Sequence, residues 1–98
     1  MSLVSSLIAD VPDWPKPGVI FKDITPLLAD GPGFSAAIEE MAQFCEEAGH
    51  RPDVLACPEA RGFIFAAALA QRLGIGFIPL RKPGKLPREV SRITFDLE

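Results

Sequence analysis

The apolar positions of residues 32–48 recur with the period of an α-helix. Pro32 suits a first helical turn, and Gly49 stands where a left-handed C-terminal cap belongs. The pattern therefore predicts one amphipathic helix from about Pro32 to Ala48. Its apolar stripe comprises Phe34, Ala37, Ile38, Met41, Ala42, Cys45 and Ala48, and its solvent-facing side carries Glu39, Glu40, Glu46 and Glu47.

Two short apolar runs, residues 53–57 and 77–80, flank a second helical segment. The first run is bounded by prolines and is typical of a strand covered on both faces. The helical segment, residues 62–73, is apolar almost all round and ends at Gly74, so we expect it to be deeply buried. A strand–helix–strand unit of this length is almost always a right-handed parallel crossover. The sequence thus predicts an α/β fold with an open parallel sheet and flanking helices.

The two ends of the chain carry weaker patterns. Apolar residues between 3 and 11 recur at near-helical spacing and predict a short N-terminal helix. Three prolines and a glycine then predict an extended arm over residues 12–18, followed by a short strand at 19–21 and a turn at 23–26. Residues 92–98 alternate polar and apolar side chains, which predicts a half-exposed strand.

The composition is that of a small globular domain. Of 98 residues, 48% are hydrophobic and 23% are charged, which excludes wholesale disorder. No apolar run approaches the roughly 20 residues that span a bilayer. The N-terminus lacks the basic start of a secretory signal, so we expect a cytoplasmic protein that does not act at membranes.

The metal-binding residue types are sparse. Cys45 and Cys57 each fall inside an apolar segment, where we expect them to be small buried hydrophobes. His50 is the only histidine, and its spacing from the cysteines matches no zinc pattern. We therefore expect no structural metal site.

The formal net charge of −3 hides an asymmetry along the chain. Residues 1–80 carry five basic and ten acidic side chains, whereas residues 81–98 carry five basic and three acidic ones. A local basic stretch on an acidic protein indicates a small anionic ligand. Nucleic-acid binders usually present a broad basic face that neutralises several phosphates, so we expect no nucleic-acid partner.

The loop Pro58–Gly62 joins the first predicted strand to the apolar helix. Open α/β sheets bind ligands at the carboxyl ends of their strands, and the unpaired N–H groups of a helix start attract anions. Arg61 at this helix start opposes the helix dipole by about 0.3–1 kcal/mol, a conflict that a bound anion would remove. Alternatively, Arg61 extends into water or pairs with Glu59.

The basic loop Arg81–Pro87 follows the second predicted strand. Parallel neighbours end at the same edge of a sheet, so this loop is expected beside Arg61. Arg81 and Lys85 could then help to surround a diphosphate, Arg81 with a planar fork and Lys85 with a point charge. The alternative is a solvated charged loop.

Two further segments are ambiguous from the residues alone. The extended backbone around Phe21 could read the edge of a purine while the ring stacks on its face. It could equally be an edge strand with Phe21 in the core. Glu98 is a carboxylate on the polar side of the last predicted strand, where a solvated surface acid is the ordinary interpretation.

Taken together, these segments resemble the adenine phosphoribosyltransferases. The resemblance rests on the motifs at Trp14–Leu28, Glu59–Phe65, Arg81–Pro87 and Phe95–Glu98, whose order and spacing agree over residues 12–98. It implies the N-terminal portion of a Rossmann-like type I phosphoribosyltransferase fold with an N-terminal hood arm. Lys22 and Trp14 replace a more usual arginine and phenylalanine of that family.

The resemblance also implies roles for individual residues. Adenine would be recognised by the backbone of Ile20 and Lys22 with Phe21 packing on the base, and Glu98 would be the general acid or base at the imidazole nitrogen of the purine. The donor would be 5-phosphoribosyl-1-diphosphate with Mg²⁺, the product AMP, and the enzyme a homodimer. The diphosphate-binding residues implied are Glu59, Ala60, Arg61, Gly62, Arg81 and Lys85, of which Arg81 and Lys85 would contribute from across the dimer interface or nearby.

One element of that family is expected to be missing. Its donor-binding loop places two adjacent acids and a Gly/Thr-rich turn after a buried strand. This chain has no Asp-Asp pair, and Thr25 and Thr94 are its only threonines, so we expect no cradle for the 5-phosphate within it. A truncated, non-catalytic dimerisation or purine-binding module is therefore an alternative to the enzyme. A nucleotide-sensing regulator on the same fold is a third, which the lack of an added DNA-binding motif argues against.

Within one phosphoribosyltransferase domain, the sequence divides into three predicted parts. Residues 1–31 form the N-terminal helix and base-binding arm, residues 32–87 form the parallel α/β unit, and residues 88–98 begin the catalytic flap strand.

Overall fold

The computed structural model describes residues 2–49 and 51–92. The described part contains four helices and four strands, and the strands form two separate two-stranded sheets. In chain order the elements are α1 (Leu3–Ser6), β1 (Ala9–Pro12), β2 (Ile20–Asp23), α2 (Thr25–Ala29), α3 (Gly31–Glu47), β3 (Val54–Pro58), α4 (Gly62–Leu73) and β4 (Gly76–Leu80).

The predicted parallel crossover is confirmed. β3 and β4 pair in parallel with a register that runs from Val54 opposite Gly76 to Pro58 opposite Leu80. The intervening α4 has the predicted bounds and ends at Gly74, whose φ of 72° is the left-handed conformation of a glycine cap. α4 packs against both strands, with Phe63 in an edge-to-face contact with Phe77 of β4 at 5.5 Å between ring centroids.

The predicted amphipathic helix is also confirmed, as α3. The carboxylate of Asp30 accepts a hydrogen bond from the N–H of Gly33 at 2.8 Å and caps the helix start. α3 packs on α4 through an edge-to-face contact of Phe34 with Phe65. Most of the buried core lies where α2, α3 and α4 meet, and it consists of Leu27, Ala37, Ile38, Ala42 and Ala70.

The N-terminal predictions need correction. The helix is a single turn, and β1 and β2 form an antiparallel hairpin in which Val11 lies opposite Phe21. The prolines stop the helix, as expected, but the apolar spacing up to Val11 belongs to a turn followed by a strand. The predicted turn at 23–26 contains the start of α2, where the Asp23 carboxylate accepts hydrogen bonds from the N–H and hydroxyl groups of Thr25.

The predicted depth of burial is wrong for two elements. In α4 only Ala70 is buried, and Ile64 is 42% exposed. β3 alternates exposed and half-buried residues and is covered on one face only. The physical reason is the same in both cases: among the described residues β3 pairs with β4 alone, and α4 is the helix that packs on the pair. Accordingly, Cys45 and Cys57 are half-buried thiols rather than buried ones.

Two observations concern the ends of the chain and membranes. Arg92 is not part of a strand, and the rest of the predicted strand at 92–98, including Glu98, lies outside the described residues, as does His50.

Among the helices of residues 2–49 and 51–92, none has the length and apolar character needed to cross a bilayer.

Candidate functional site

The two predicted ligand loops begin side by side at one edge of the parallel sheet. Pro58 at the end of β3 lies opposite Leu80 at the end of β4. The next residue, Glu59, donates its backbone N–H to the carbonyl oxygen of Leu80 at 3.0 Å. The chain then diverges into the loop that starts α4 and into the basic loop 81–87. This placement matches the edge at which open α/β sheets bind ligands.

The side chain of Glu59 joins these two loops. Its carboxylate accepts a hydrogen bond from the backbone N–H of Lys82 at 2.7 Å and from Nζ of Lys85 at 3.0 Å. Nε of Arg81 lies 3.5 Å from the same carboxylate, whose side chain is only 12% exposed. The Lys82 N–H, followed by Lys85, lowers the pKa of Glu59 to about 2, so the group is a carboxylate at neutral pH.

Arg81 is held by a second contact that the sequence did not reveal. Its guanidinium carbon lies 5.9 Å from the centroid of the Phe63 ring, within the range of a cation–π interaction. Phe63 belongs to the first turn of α4, and the sequence pattern had assigned it only to an apolar helix. An aromatic residue directly after an Arg-Gly loop is the one signal that could have identified it.

Arg61 occupies the N-cap position of α4 with helical backbone angles, φ −61° and ψ −39°. Its guanidinium carbon lies 5.9 Å from the centroid of the Phe21 ring in β2. In the described contacts, Glu59 forms its ion pairs with Arg81 and Lys85, so the expected alternative of an Arg61–Glu59 pair is not what the structure shows. Arg61 instead brings the loop that starts α4 into contact with β2 of the hairpin.

Gly62 allows the loop to approach β3 closely. A Cβ atom at Gly62 would lie 2.3 Å from Sγ of Cys57, which is far inside van der Waals contact. Ala60 precedes this approach, and its carbonyl accepts the N–H of Phe63 at 3.1 Å. A glycine is therefore needed for α4 to start directly over the end of β3.

The segment predicted to bind the base lies in the hairpin of β1 and β2. Lys22 pairs through Nζ with Asp10 of β1 at 2.5 Å, a partner that the sequence reasoning missed because it took residues 3–11 as a helix. The Val19 carbonyl accepts the N–H of Trp14 on the β1 side. Because backbone groups alternate along a strand, those of Ile20 and Lys22 point away from β1, toward the open edge of the hairpin.

The predicted site residues thus fall into two neighbouring groups. Glu59, Arg81 and Lys85 are in direct contact, while Arg61 connects them to Phe21 of the arm. Glu98 lies outside the described residues. Within residues 2–49 and 51–92, no three His, Cys, Asp or Glu side chains are grouped so that they could hold a metal ion.

Comparison with known proteins identifies the family of this chain. The sequence profile of the phosphoribosyl transferase domain matches residues 27–95. The chain belongs to the phosphoribosyltransferase family. The match covers α3, the parallel β3–α4–β4 unit and the basic loop, and begins inside α2.

Its relatives within the phosphoribosyltransferases are adenine phosphoribosyltransferases. The Dichelobacter nodosus enzyme is 73% identical over 93 residues, which is 95% of this chain and 53% of the relative. The structure of the Thermoanaerobacter pseudethanolicus enzyme is 53% identical, with a TM-score of 0.80 over 88% of this chain and 50% of that chain. The Saccharomyces cerevisiae enzyme, solved with adenine and an imino-altritol bisphosphate, is 35% identical, with a TM-score of 0.82 over 88% of this chain and 52% of that chain.

These comparisons confirm the partial α/β phosphoribosyltransferase fold. The chain spans about half the length of the curated relatives it matches, and it corresponds to their N-terminal half.

Proposed function

We propose that this chain is the N-terminal part of an adenine phosphoribosyltransferase, which joins adenine to 5-phosphoribosyl-1-diphosphate to give AMP and diphosphate in purine salvage. The observation that carries this proposal is the placement of Arg61. It begins α4 beside the basic loop and lies against Phe21, so an anion-binding loop and a base-binding arm adjoin. A purine joined to a phosphorylated sugar needs both features at this spacing.

The arm supplies the adenine end of the site. The outward-facing backbone groups of Ile20 and Lys22 offer both donors and acceptors, which suit the amino group and ring nitrogens of adenine. Phe21 packs on the base. The side chain of Lys22 is held by Asp10, which leaves recognition at this position to the backbone. The yeast relative, solved with adenine, supports this assignment by its similarity in fold.

The two loops supply the diphosphate end. Backbone N–H groups at the start of α4, around Ala60 and Gly62, bring partial positive charge, and Arg61, Arg81 and Lys85 bring full charges. Mg²⁺ would be bound together with the donor substrate, whose negative charge it would partly neutralise. The described residues offer no group of carboxylates that would hold the ion without the donor.

Catalysis requires a proton to leave the purine as its nitrogen bonds to the anomeric carbon. The bond between that carbon and the diphosphate oxygen breaks, and diphosphate leaves with the electron pair. Glu98 is the general acid or base at the imidazole nitrogen in this proposal, and Arg61, Arg81 and Lys85 stabilise the charge on the departing diphosphate.

The remaining proposals concern organisation. Residues 1–31 form the base-binding arm, residues 32–87 the parallel α/β unit and residues 88–98 the start of a catalytic flap. The complete enzyme is a homodimer in the cytoplasm, where its highly charged donor, which does not cross membranes unaided, is available.

A chimeric enzyme tests the proposal. The chain replaces the matching 93 residues of the Dichelobacter nodosus relative, so that the other half of that enzyme supplies the 5-phosphate cradle. We expect AMP to form from adenine, Mg²⁺ and the donor, and no product to form when the donor is omitted. A folded chimera that binds adenine without turnover would favour the non-catalytic module instead. One that binds neither adenine nor diphosphate would contradict both functions.

A further inference from the structure

Glu59 is an acid in the middle of a site that must bind an anion. Its backbone N–H is bonded to Leu80 at the end of β4, and its carboxylate is bonded to the N–H of Lys82 two residues further on. These two bonds clamp the first residues of the basic loop to the end of β3. The side chain is 12% exposed, so solvent competes little for the carboxylate.

The clamp leaves most of the positive groups available to a ligand. Arg81 approaches Glu59 through Nε, and its two terminal nitrogens, which form the planar fork, lie outside that contact. Lys85 gives one hydrogen bond to Glu59, and an ammonium group has three donors. Lys85 is also 48% exposed and therefore accessible from solvent.

On charge alone, Glu59 would weaken diphosphate binding. A carboxylate beside a bound diphosphate repels it and offsets part of the attraction from the neighbouring cations. Ordering of the basic loop compensates for this repulsion. A loop that already holds its cations in place loses less conformational freedom when the ligand binds. The two effects act on diphosphate affinity in opposite directions.

We propose that Glu59 is a positioning residue, which fixes the Arg81–Lys85 loop so that the guanidinium fork and the ammonium group face the diphosphate, and that it does not contact the diphosphate itself. This inference rests on the proposed function. Glu59 was expected among the residues that contact the diphosphate, and it is proposed here to hold Arg81 and Lys85 in position instead.

The chimeric enzyme and inorganic diphosphate test this directly. Glu59→Gln keeps an acceptor for the Lys82 N–H but removes the charge that holds Arg81 and Lys85. We expect the Kd for inorganic diphosphate, measured by calorimetry, and the KM for the donor to rise about tenfold or more. The Kd for adenine should change by less than about twofold. The matched control is Glu39→Gln, which breaks an ion pair with Arg72 between α3 and α4 and should leave diphosphate affinity unchanged.

Coupling provides a second measurement. In a Lys85→Met background, adding Glu59→Gln should weaken diphosphate binding less than it does in the parent, because part of what Glu59 positions is already absent. Equal or tighter diphosphate binding by Glu59→Gln, in a chimera whose parent makes AMP, would overturn the inference and leave repulsion as the dominant effect.

Amide hydrogen exchange tests the clamp without activity. In the folded chimeric enzyme, the Lys82 N–H should be protected, and this protection should be lost in Glu59→Ala. An unprotected Lys82 N–H in the folded parent chimera would contradict the clamp. A parent chimera that makes no AMP would contradict the proposed function, and the exchange of Lys82 would then decide the inference alone.

Discussion

The guanidinium of Arg61 and the ring of Phe21 lie against each other, with 5.9 Å between the guanidinium carbon and the ring centroid. The two residues are far apart in sequence: Phe21 belongs to β2 of the hairpin, and Arg61 is the N-cap residue of α4, which follows β3 of the parallel pair. Their contact connects the arm proposed to read adenine with the loop proposed to bind diphosphate.

Replacing Arg61 should affect diphosphate binding and adenine binding to different extents. In the chimeric enzyme, we expect Arg61→Ala to weaken diphosphate binding far more than adenine binding, because the guanidinium supplies charge to the anion but only packs against Phe21. A loss of one charged hydrogen-bonding group corresponds to about 1.5–3 kcal/mol. Calorimetric titrations with diphosphate and with adenine measure the two effects separately.

Arg61→Lys is the matched variant, since it keeps the charge and loses the planar fork. We expect it to fall between the parent and Arg61→Ala in diphosphate affinity. Equal diphosphate affinity in the parent and Arg61→Ala would remove Arg61 from the anion site.

The environment of Glu59 predicts a pH dependence with a definite sign. Its pKa is lowered from 4.5 to about 2 in the folded chain, first by the Lys82 N–H and then by Lys85. A lowered pKa means that the contribution of Glu59 to stability is complete above the unfolded value of 4.5 and is lost as the pH falls toward 2. The stability difference between the parent chimera and Glu59→Gln should therefore shrink across this window.

A carboxyl-carbon NMR titration of Glu59 in the folded chimeric enzyme measures the pKa itself, and Glu59→Gln identifies the resonance. A midpoint near 4.5 would show that the clamp does not form in solution.

Gly62 is predicted to be sensitive to a single methyl group. In the chimeric enzyme, Gly62→Ala places a Cβ atom 2.3 Å from Sγ of Cys57, so either the Cys57 side chain must rotate or α4 must move away from β3. Overpacking of this kind costs about 1–3 kcal/mol of unfolding free energy. Chemical denaturation checks the value.

The control for that substitution is Gly76→Ala in β4, where an added Cβ would meet Val54 at an ordinary 3.8 Å and should be tolerated. Cys57→Ala removes the clashing sulfur, so the double variant should recover part of the loss. If Gly62→Ala is as stable as the parent, the contact of Gly62 with Cys57 does not constrain the start of α4.

The sequence predicted those features of the fold that depend on local signals. α4 lies at the predicted residues because Gly62 and Gly74 mark its ends, and the parallel crossover followed from the order of strand, helix and strand. The hairpin was missed because the apolar spacing of residues 3–11 fits a helix, while the pairing of Val11 with Phe21 is a tertiary contact. Burial of α4 was overestimated because an apolar sequence does not reveal which neighbouring elements cover the helix.

For the site, the placement of the loops could be predicted from the chain topology, whereas the side-chain contacts could not. The rule that parallel strands end at one edge placed the loop of Arg61 beside the basic loop. The role of Glu59 could not be read from its position in a ligand loop, because its partner N–H belongs to Lys82 in the other loop.

Glu98 can be tested although it lies outside the described residues. In the chimeric enzyme, Glu98→Gln keeps the size and one acceptor of the side chain but cannot exchange a proton. General acid–base catalysis contributes about 100- to 10,000-fold, so turnover should fall on that scale with modest change in the Michaelis constants. Steady-state kinetics provide the measurement, and unchanged turnover would leave Glu98 as a surface residue.

The 98-residue chain alone is expected to make no AMP and to associate with itself. Its sequence contains no adjacent pair of aspartates and no Gly/Thr-rich turn that could cradle the 5-phosphate. Its apolar surface is also uncovered: Phe44 of α3 is 73% exposed, and Ile78 and Leu80 of β4 are 49% and 48% exposed. Exposed apolar surface of this kind drives association, and the open edges of the β3–β4 pair offer unpaired backbone groups.

Labelled adenine, Mg²⁺ and the donor, mixed with the purified chain, test for AMP, while sedimentation of the same sample reports its size. Phe44→Asp is the informative variant, because so exposed a side chain contributes little to folding and its replacement should reduce association. Measurable AMP would show that the cradle is dispensable. A cooperative monomer would show that the exposed faces of α3 and β4 need no cover.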